Sequence, residues 1–216
     1  MFQPMITPSM MCADIGALRE TLAVFERCGI EYLHIDVMDG EFVPNLQLGT
    51  AYVRQLRRLS RIPLDLHLMI ERPEDKLEWF DLQPGEICSI HAESTRHVQR
   101  ALARVRDKGA RPFLALNPAT PLCTAEEVVP DLEGLLLMTV NPGYAGQTLI
   151  PQTLDKIRRA SERFGLPVMA DGNVSFEHAA AMRRAGTSLF VAGSSSVFAP
   201  GDLGANIERL RALIAD

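Results

Sequence analysis

The chain has little cysteine, no excess of positive charge and no long apolar run. Its four cysteines, Cys12, Cys28, Cys88 and Cys123, are scattered and form no CxxC pair, so a disulfide framework is not expected and a reducing compartment fits. With 22 Lys+Arg against 27 Asp+Glu, the net charge of −5 gives no pull toward nucleic acid or anionic lipid. No stretch approaches the roughly 18–20 apolar residues of a membrane span. The first residues lack the basic and apolar regions of a secretion signal, so no membrane partner and a cytoplasmic location are the expectation. No GxGxxG follows the first strand candidate, which disfavours a dinucleotide-binding sheet. No repeat, low-complexity segment or linker divides the 216 residues, and they read as one domain, 1–216.

What is present is a regular alternation. Short β-like runs occur at Met5–Pro8, Tyr32–Asp36, Leu64–Met69, Ile87–His91, Phe113–Leu116, Gly134–Val140, Pro167–Asp171 and Leu189–Val191. Amphipathic stretches lie between them, at Ile15–Cys28, Thr50–Ser60, Pro73–Phe80, Thr95–Lys108, Leu154–Phe164, Phe176–Ala185 and Ile207–Ala215, with a shorter one at Cys123–Val129. Asp14 and Ser175 stand where helices should start, and Gly29, Gly109, Gly165 and Gly186 where they should stop. Eight strands alternating with about eight helices predict an α/β fold, a (β/α)8 TIM barrel. In such a barrel chemistry sits at the C-terminal strand ends. Ser9, His34, Asp36, His67, Met69, Asn141, Asp171 and Gly193 all fall at or just past a predicted end.

Two of these ends carry metal-competent side chains. In Leu33-His34-Ile35-Asp36-Val37-Met38, residues two apart share a face, so His34 and Asp36 project together, as do His67 and Met69 in Asp65-Leu66-His67-Leu68-Met69. Taken alone, His-x-Asp reads as a half-buried strand with a solvated tip. Here Leu33, Ile35 and Val37 face the helices, which turns the polar pair into the barrel, where a buried Asp needs a partner. A divalent metal is the simplest one, with His67 as a third ligand. Asp65 lies deeper on the same face and reads as a support for a ligand. Asp171, in Ala-Asp-Gly-Asn, reads alone as a turn residue; after a barrel strand it would face the metal. His91 ends a strand as a peripheral candidate, and His97 and His178 read as surface residues of helices.

The loops after the last three strands are glycine-rich: Asn141–Gln147 with Gly143 and Gly146, then Gly172-Asn173, then Ala192-Gly193-Ser194-Ser195-Ser196. Each alone is an ordinary tight turn. On consecutive late strands they predict a phosphate site, since glycines let backbone N–H groups approach an anion. Met38, Met69 and Met138 are core filler by default, or shield a reactive carbanion from water if they line the site. Ser9 is either a loop residue or a site residue.

Over nearly its whole length the chain resembles the ribulose-phosphate 3-epimerase family. The matching runs are Pro8-Ser9, His34–Gly40 with Phe42-Val43-Pro44-Asn45, Leu66-His67-Leu68-Met69, Met138–Gly143, Ile150-Pro151, Asp171-Gly172 and Ala192-Gly193-Ser194. The resemblance implies a barrel enzyme, an isomerase that interconverts D-ribulose 5-phosphate and D-xylulose 5-phosphate with a divalent metal. It places metal ligands on His34, Asp36, His67 and Asp171 and the acid/base pair on Asp36 and Asp171. It places substrate contacts on Ser9 and His67, the methionine shield on Met38, Met69 and Met138, and phosphate contacts on Gly143, Gly146, Gly172, Gly193 and Ser194. A two-His, two-Asp set suits Zn2+, Fe2+, Co2+ or Mn2+. Barrels of this family often assemble, so a homo-oligomer is expected. Where common members read Gly-Phe-Gly-Gly-Gln and Asp-Gly-Gly, this chain has Gly143-Tyr144-Ala145-Gly146-Gln147 and Asp171-Gly172-Asn173, and its Gly193–Phe198 run is one residue longer than in many members. A branch acting on D-allulose 6-phosphate shares the alanine and the longer loop, so the hexulose stands as the alternative substrate. Two other readings remain: a decarboxylase or aldolase barrel, which would want a lysine at a strand end where this chain has none, and a non-catalytic sugar-phosphate binding protein, which would not need the second aspartate.

Overall fold

The computed structural model describes residues 2–215. Nine strands form one sheet: β1 (Met5–Pro8), β2 (Leu33–Asp39), β3 (Leu46–Gln47), β4 (Leu64–Met69), β5 (Ile87–His91), β6 (Arg111–Leu116), β7 (Gly134–Met138), β8 (Val168–Asp171) and β9 (Leu189–Ala192). All neighbours pair in parallel except β3, an antiparallel flap on the end of β2. The sheet curls until Ser9, just past β1, bridges His34 on β2, and this closes an eight-stranded parallel barrel. The α-helices are α1 (Leu18–Arg27), α2 (Thr50–Leu59), α3 (Pro73–Lys76), α4 (Val98–Asp107), α5 (Gln152–Phe164) and α6 (Ala179–Ala185) between strands, and α7 (Leu203–Leu213) after β9. The fold is a (β/α)8 barrel, as the alternation predicts.

The period of two explains which side chains enter the barrel. In β2, Leu33, Ile35 and Val37 join the large apolar layer under the helices, and in β4 Leu64, Leu66 and Leu68 do the same. Their alternates, His34, Asp36 and Met38, and Asp65, His67 and Met69, are left for the interior. Parallel register sets Asp36 beside His67 and His34 beside Asp65. A separate apolar cluster, with Ile87, Phe113, Leu136, Met169 and Leu189, fills the rest of the barrel. Phe113 is fully buried there, and a Cβ on Gly134 would come within 2.3 Å of its ring, so glycine at 134 is what admits the phenylalanine.

Several boundaries differ from the sequence expectation. β2 runs on to Asp39, which places Met38 inside the barrel mouth. The flap β3 is two residues long, too short for any alternation to register. The Cys123–Val129 stretch is part of a 3-10 helix, Leu122–Asp131, with Pro121 before it and Pro130 inside it to oppose an α-helix. His97 precedes α4 as its N-cap and is exposed. His178 is not a surface helix residue: it sits at the N-cap of α6, half-buried, with Nδ1 2.8 Å from Asn173 Oδ1. No helix among the described residues is long and apolar enough to cross a membrane.

Candidate active site

Four side chains from three strands meet inside the C-terminal mouth of the barrel. His34 Nε2 lies 3.3 Å from Asp36 Oδ1 and 3.6 Å from Asp171 Oδ2. His67 Nδ1 lies 3.4 Å from Asp36 Oδ1 and 3.1 Å from Asp171 Oδ2. Both imidazoles are fully buried, and both of these ring nitrogens lack an aligned hydrogen-bond partner. One ligand atom from each residue falls within a 4.8 Å group. Ligands about 2.0–2.2 Å from a shared centre stand about 3.3–3.6 Å apart in a tetrahedral set. The spacing, the two orphaned buried nitrogens and the two-N, two-O donor set therefore fit a divalent cation held by His34, Asp36, His67 and Asp171.

The neighbours of the cluster fix its protons. Asp65, fully buried, sits 2.7 Å from His34 Nδ1 and accepts a hydrogen bond from Thr7 Oγ1 at 3.1 Å. With a carboxylate accepting there, a His34 that serves as a ligand keeps its one proton on Nδ1 and turns the Nε2 lone pair to the cluster. Ser9 Oγ donates to Asp36 Oδ2 at 2.6 Å, leaving Oδ1 for the cluster. Thr139 holds the other aspartate: its N–H donates to the Asp171 carbonyl at 2.7 Å, and its hydroxyl donates to the carbonyls of Asp171 and Gly172.

The four groups shift one another's proton affinity. Burial opposes ionising Asp36, but His34 and His67 outweigh it and hold the carboxyl well below its usual range. Asp171 is also lowered, burial and the charge of Asp36 working against the attraction of the two nearby imidazoles. Burial works against charge on His34 too, yet Asp65 and Asp36 raise its pKa well above the ordinary value. His67 is raised by Asp171 and Asp36 against the same penalty. His91 goes the other way: burial pushes it down to about 4, so it is neutral near pH 7.

Above the cluster opens a cleft. Ser9, Asp36, Met38, Met69, Met138, Gly143, Gly146, Asp171, Gly172, Gly193 and Ser194 all line it, while His34 and His67 lie sealed beneath. Met38, Met69 and Met138 are buried, the first two packed with Val43 and Phe42, so one wall is apolar. The opposite rim is made by the loops after β7, β8 and β9. Asn45 Nδ2 donates to the Gly143 carbonyl at 2.8 Å and Tyr144 Oη to the Pro44 carbonyl at 2.6 Å, tying the loop after β2 to the loop after β7. Asn173, at a φ of 47°, donates to the Gln147 carbonyl at 2.9 Å and ties the loops after β7 and β8.

The sequence alone leaves His91 at the periphery. In the structure it is fully buried, with Nε2 2.8 Å from His67 Nε2. A signal for this exists: Ile87, Ser89 and His91 alternate inward as His34 and Asp36 do, and β5 pairs with the strand that carries His67. Thr7 and Thr139 escape sequence reasoning, being single hydroxyls in or just past apolar strands with no local mark.

The ribulose-phosphate 3 epimerase family matches residues 5–198. Ribulose-phosphate 3-epimerase 1 of Cupriavidus necator is 41% identical over 204 residues, covering 90% of this chain and 85% of the relative. Ribulose-phosphate 3-epimerase of Bacillus subtilis is 39% identical, covering 95% of this chain and 97% of its own. The Escherichia coli enzyme of the same name is 36% identical, covering 100% and 98%. Among solved structures, KGPDC from Streptococcus mutans aligns with a TM-score of 0.75 over 98% of this chain and 97% of that one, at 13% identity, which shows the barrel fold alone. The match runs from the first strand past the last and takes in every residue of the His/Asp cluster, and on that breadth the chain belongs to the ribulose-phosphate 3-epimerase family.

Proposed function

We propose that this protein is a ribulose-phosphate 3-epimerase, an isomerase that inverts C3 of D-ribulose 5-phosphate to give D-xylulose 5-phosphate. One observation carries the reading: Asp36 from β2 and Asp171 from β8, separated in the barrel wall by β1 and β9, converge on the same two imidazoles beneath one cleft. Inverting a carbon acid needs one group to take a proton from one face and another to give a proton to the other face. Two carboxylates on separate strands supply that pair.

The C3 proton is acidified by the neighbouring C2 ketone. One aspartate removes it and the other returns a proton from the opposite side, the roles exchanging with the direction of reaction. A divalent cation held by His34, Asp36, His67 and Asp171 supplies Lewis-acid stabilisation of the charge that develops on the substrate oxygens. Zn2+, Fe2+, Co2+ and Mn2+ all suit this donor set. Ser9 holds the Asp36 carboxylate in one orientation. Met38, Met69 and Met138 keep water from the enediolate. The phosphate is bound by the backbone around Gly143, Gly146, Gly172, Gly193 and Ser194.

The relatives that support the pentulose carry that substrate in their names, and the departures at Ala145 and Asn173 do not touch the His/Asp cluster. The test is turnover of D-ribulose 5-phosphate and D-allulose 6-phosphate in parallel, with products identified by NMR. Faster conversion of the pentulose is expected; faster conversion of the hexulose would overturn the substrate assignment.

A further inference from the structure

We propose that His91 and Glu93 are positioning residues for the cation site, a relay that selects the tautomer of His67. The inference rests on reading His67 as a cation ligand. His67 has two ring nitrogens. Nδ1 faces Asp36 and Asp171, and Nε2 lies 2.8 Å from His91 Nε2. Across so short a contact one imidazole donates and the other accepts. For His67 to offer a lone pair at Nδ1, its proton must sit on Nε2, and His91 Nε2 must accept it. The His91 proton then sits on Nδ1, which lies 3.2 Å from Glu93 Oε2.

Glu93 sets the direction of this chain. Its other oxygen accepts from the Asn117 N–H at 2.9 Å and from the Thr120 hydroxyl. A backbone N–H is a donor that cannot reverse, so the carboxylate is pinned and only accepts from His91. His91 itself has no freedom to turn away: its ring meets that of His67 edge to edge, 5.0 Å between centroids and 26° between planes, and packs on Phe42 at 4.7 Å. With the acceptor at Glu93 lost, His91 can carry its proton on Nε2, donate to His67 and force the His67 proton onto Nδ1, where a cation needs a lone pair. The two imidazole ligands are thus backed differently. His34 leans directly on the buried Asp65, whereas His67 is reached through a second imidazole from a carboxylate whose side chain is 24% exposed.

Two substitutions separate tautomer control from packing. Glu93→Gln keeps the shape, but the Asn117 N–H holds the amide oxygen and so turns the amide NH2 toward His91 Nδ1. A donor there inverts the relay. Glu93→Ala leaves His91 Nδ1 to solvent, which still accepts its proton. The experiment is Co2+ titration of the full-length, cation-free protein, reading the dissociation constant and the visible absorption of bound Co2+, with folding checked by circular dichroism. The expected order is about 10-fold weaker binding in Glu93→Ala and about 100-fold in Glu93→Gln, with an altered Co2+ spectrum in the Gln variant. A packing role gives the reverse order, because Gln is the better isostere. Wild-type affinity in both variants, or tighter binding in Gln than in Ala, overturns the relay. Failure of the wild-type protein to take up Co2+, or wild-type affinity in His67→Ala, removes the ligand reading and the relay with it.

Discussion

Replacing Asp171 with Asn separates the two proton-transfer roles. Asp171 Oδ2 stands 3.1 Å from His67 Nδ1 and 3.6 Å from His34 Nε2, and its side chain is only 14% exposed. Asn fits the same space and keeps a carbonyl oxygen for the cation, but it neither takes nor gives a proton near pH 7. In the proposed two-base scheme net inversion at C3 uses both carboxylates in each direction, so one missing general acid–base should cost interconversion about 10²–10⁴-fold, or about 3–5 kcal/mol of barrier. Asp36 is untouched. The one ketose phosphate whose C3 proton faces Asp36 should still exchange that proton with solvent, while its epimer should not. The assay is proton NMR in D2O with D-ribulose 5-phosphate and D-xylulose 5-phosphate followed separately, together with the cation content of the variant. Near-normal interconversion would refute the two-base scheme. So would equal loss of exchange from both epimers in a variant that keeps its cation.

Asp65→Asn removes the carboxylate that holds the His34 proton on Nδ1, and cation affinity measured by chelator competition should fall about 10–100-fold. Gly172 has a φ of 118°, and an added Cβ would lie 2.6 Å from Val140 Cγ2 and 2.9 Å from Val140 N; Gly172→Ala should cost about 2 kcal/mol or more, lowering Tm by about 4–8 °C and displacing Asp171. Asp39 is partly desolvated, yet Lys76 and the N–H groups of Phe42, Glu41 and Glu71 lower its pKa to about 2. Since its folded pKa lies below the unfolded one, its contribution is present above about pH 4 and is lost as pH falls through about 2. With solvent screening it is worth about 1 kcal/mol, so Asp39→Asn should lower Tm more at pH 7 than at pH 2 in thermal melts.

Much of this site is legible in the sequence because polar side chains in apolar strands break a period of two. Leu33–Met38 and Leu64–Met69 each carry apolar residues on one face and chemistry on the other, so strand, face and barrel end follow together. What lies between strands is not legible in this way. His91 looks solitary because its partner, His67, belongs to β4, and the Glu93 carboxylate reaches it only through the turn after β5. The Phe113–Gly134 fit also depends on register. Sequence cues place two helix starts early, at Thr95 and Phe176. There a Thr95 hydroxyl accepting from the His97 N–H and a Ser175 hydroxyl accepting from the His178 N–H cap short turns before the helix.

The central claim is proton transfer at C3 of a pentulose phosphate. Deuterium entering C3 in D2O, followed by NMR on the cation-loaded wild-type protein, tests it most directly, with D-ribulose 5-phosphate and D-allulose 6-phosphate run side by side. Deuterium at C3 of the pentulose, appearing together with D-xylulose 5-phosphate and faster than in the hexulose, is the expected result. No exchange in either sugar phosphate would contradict the epimerase.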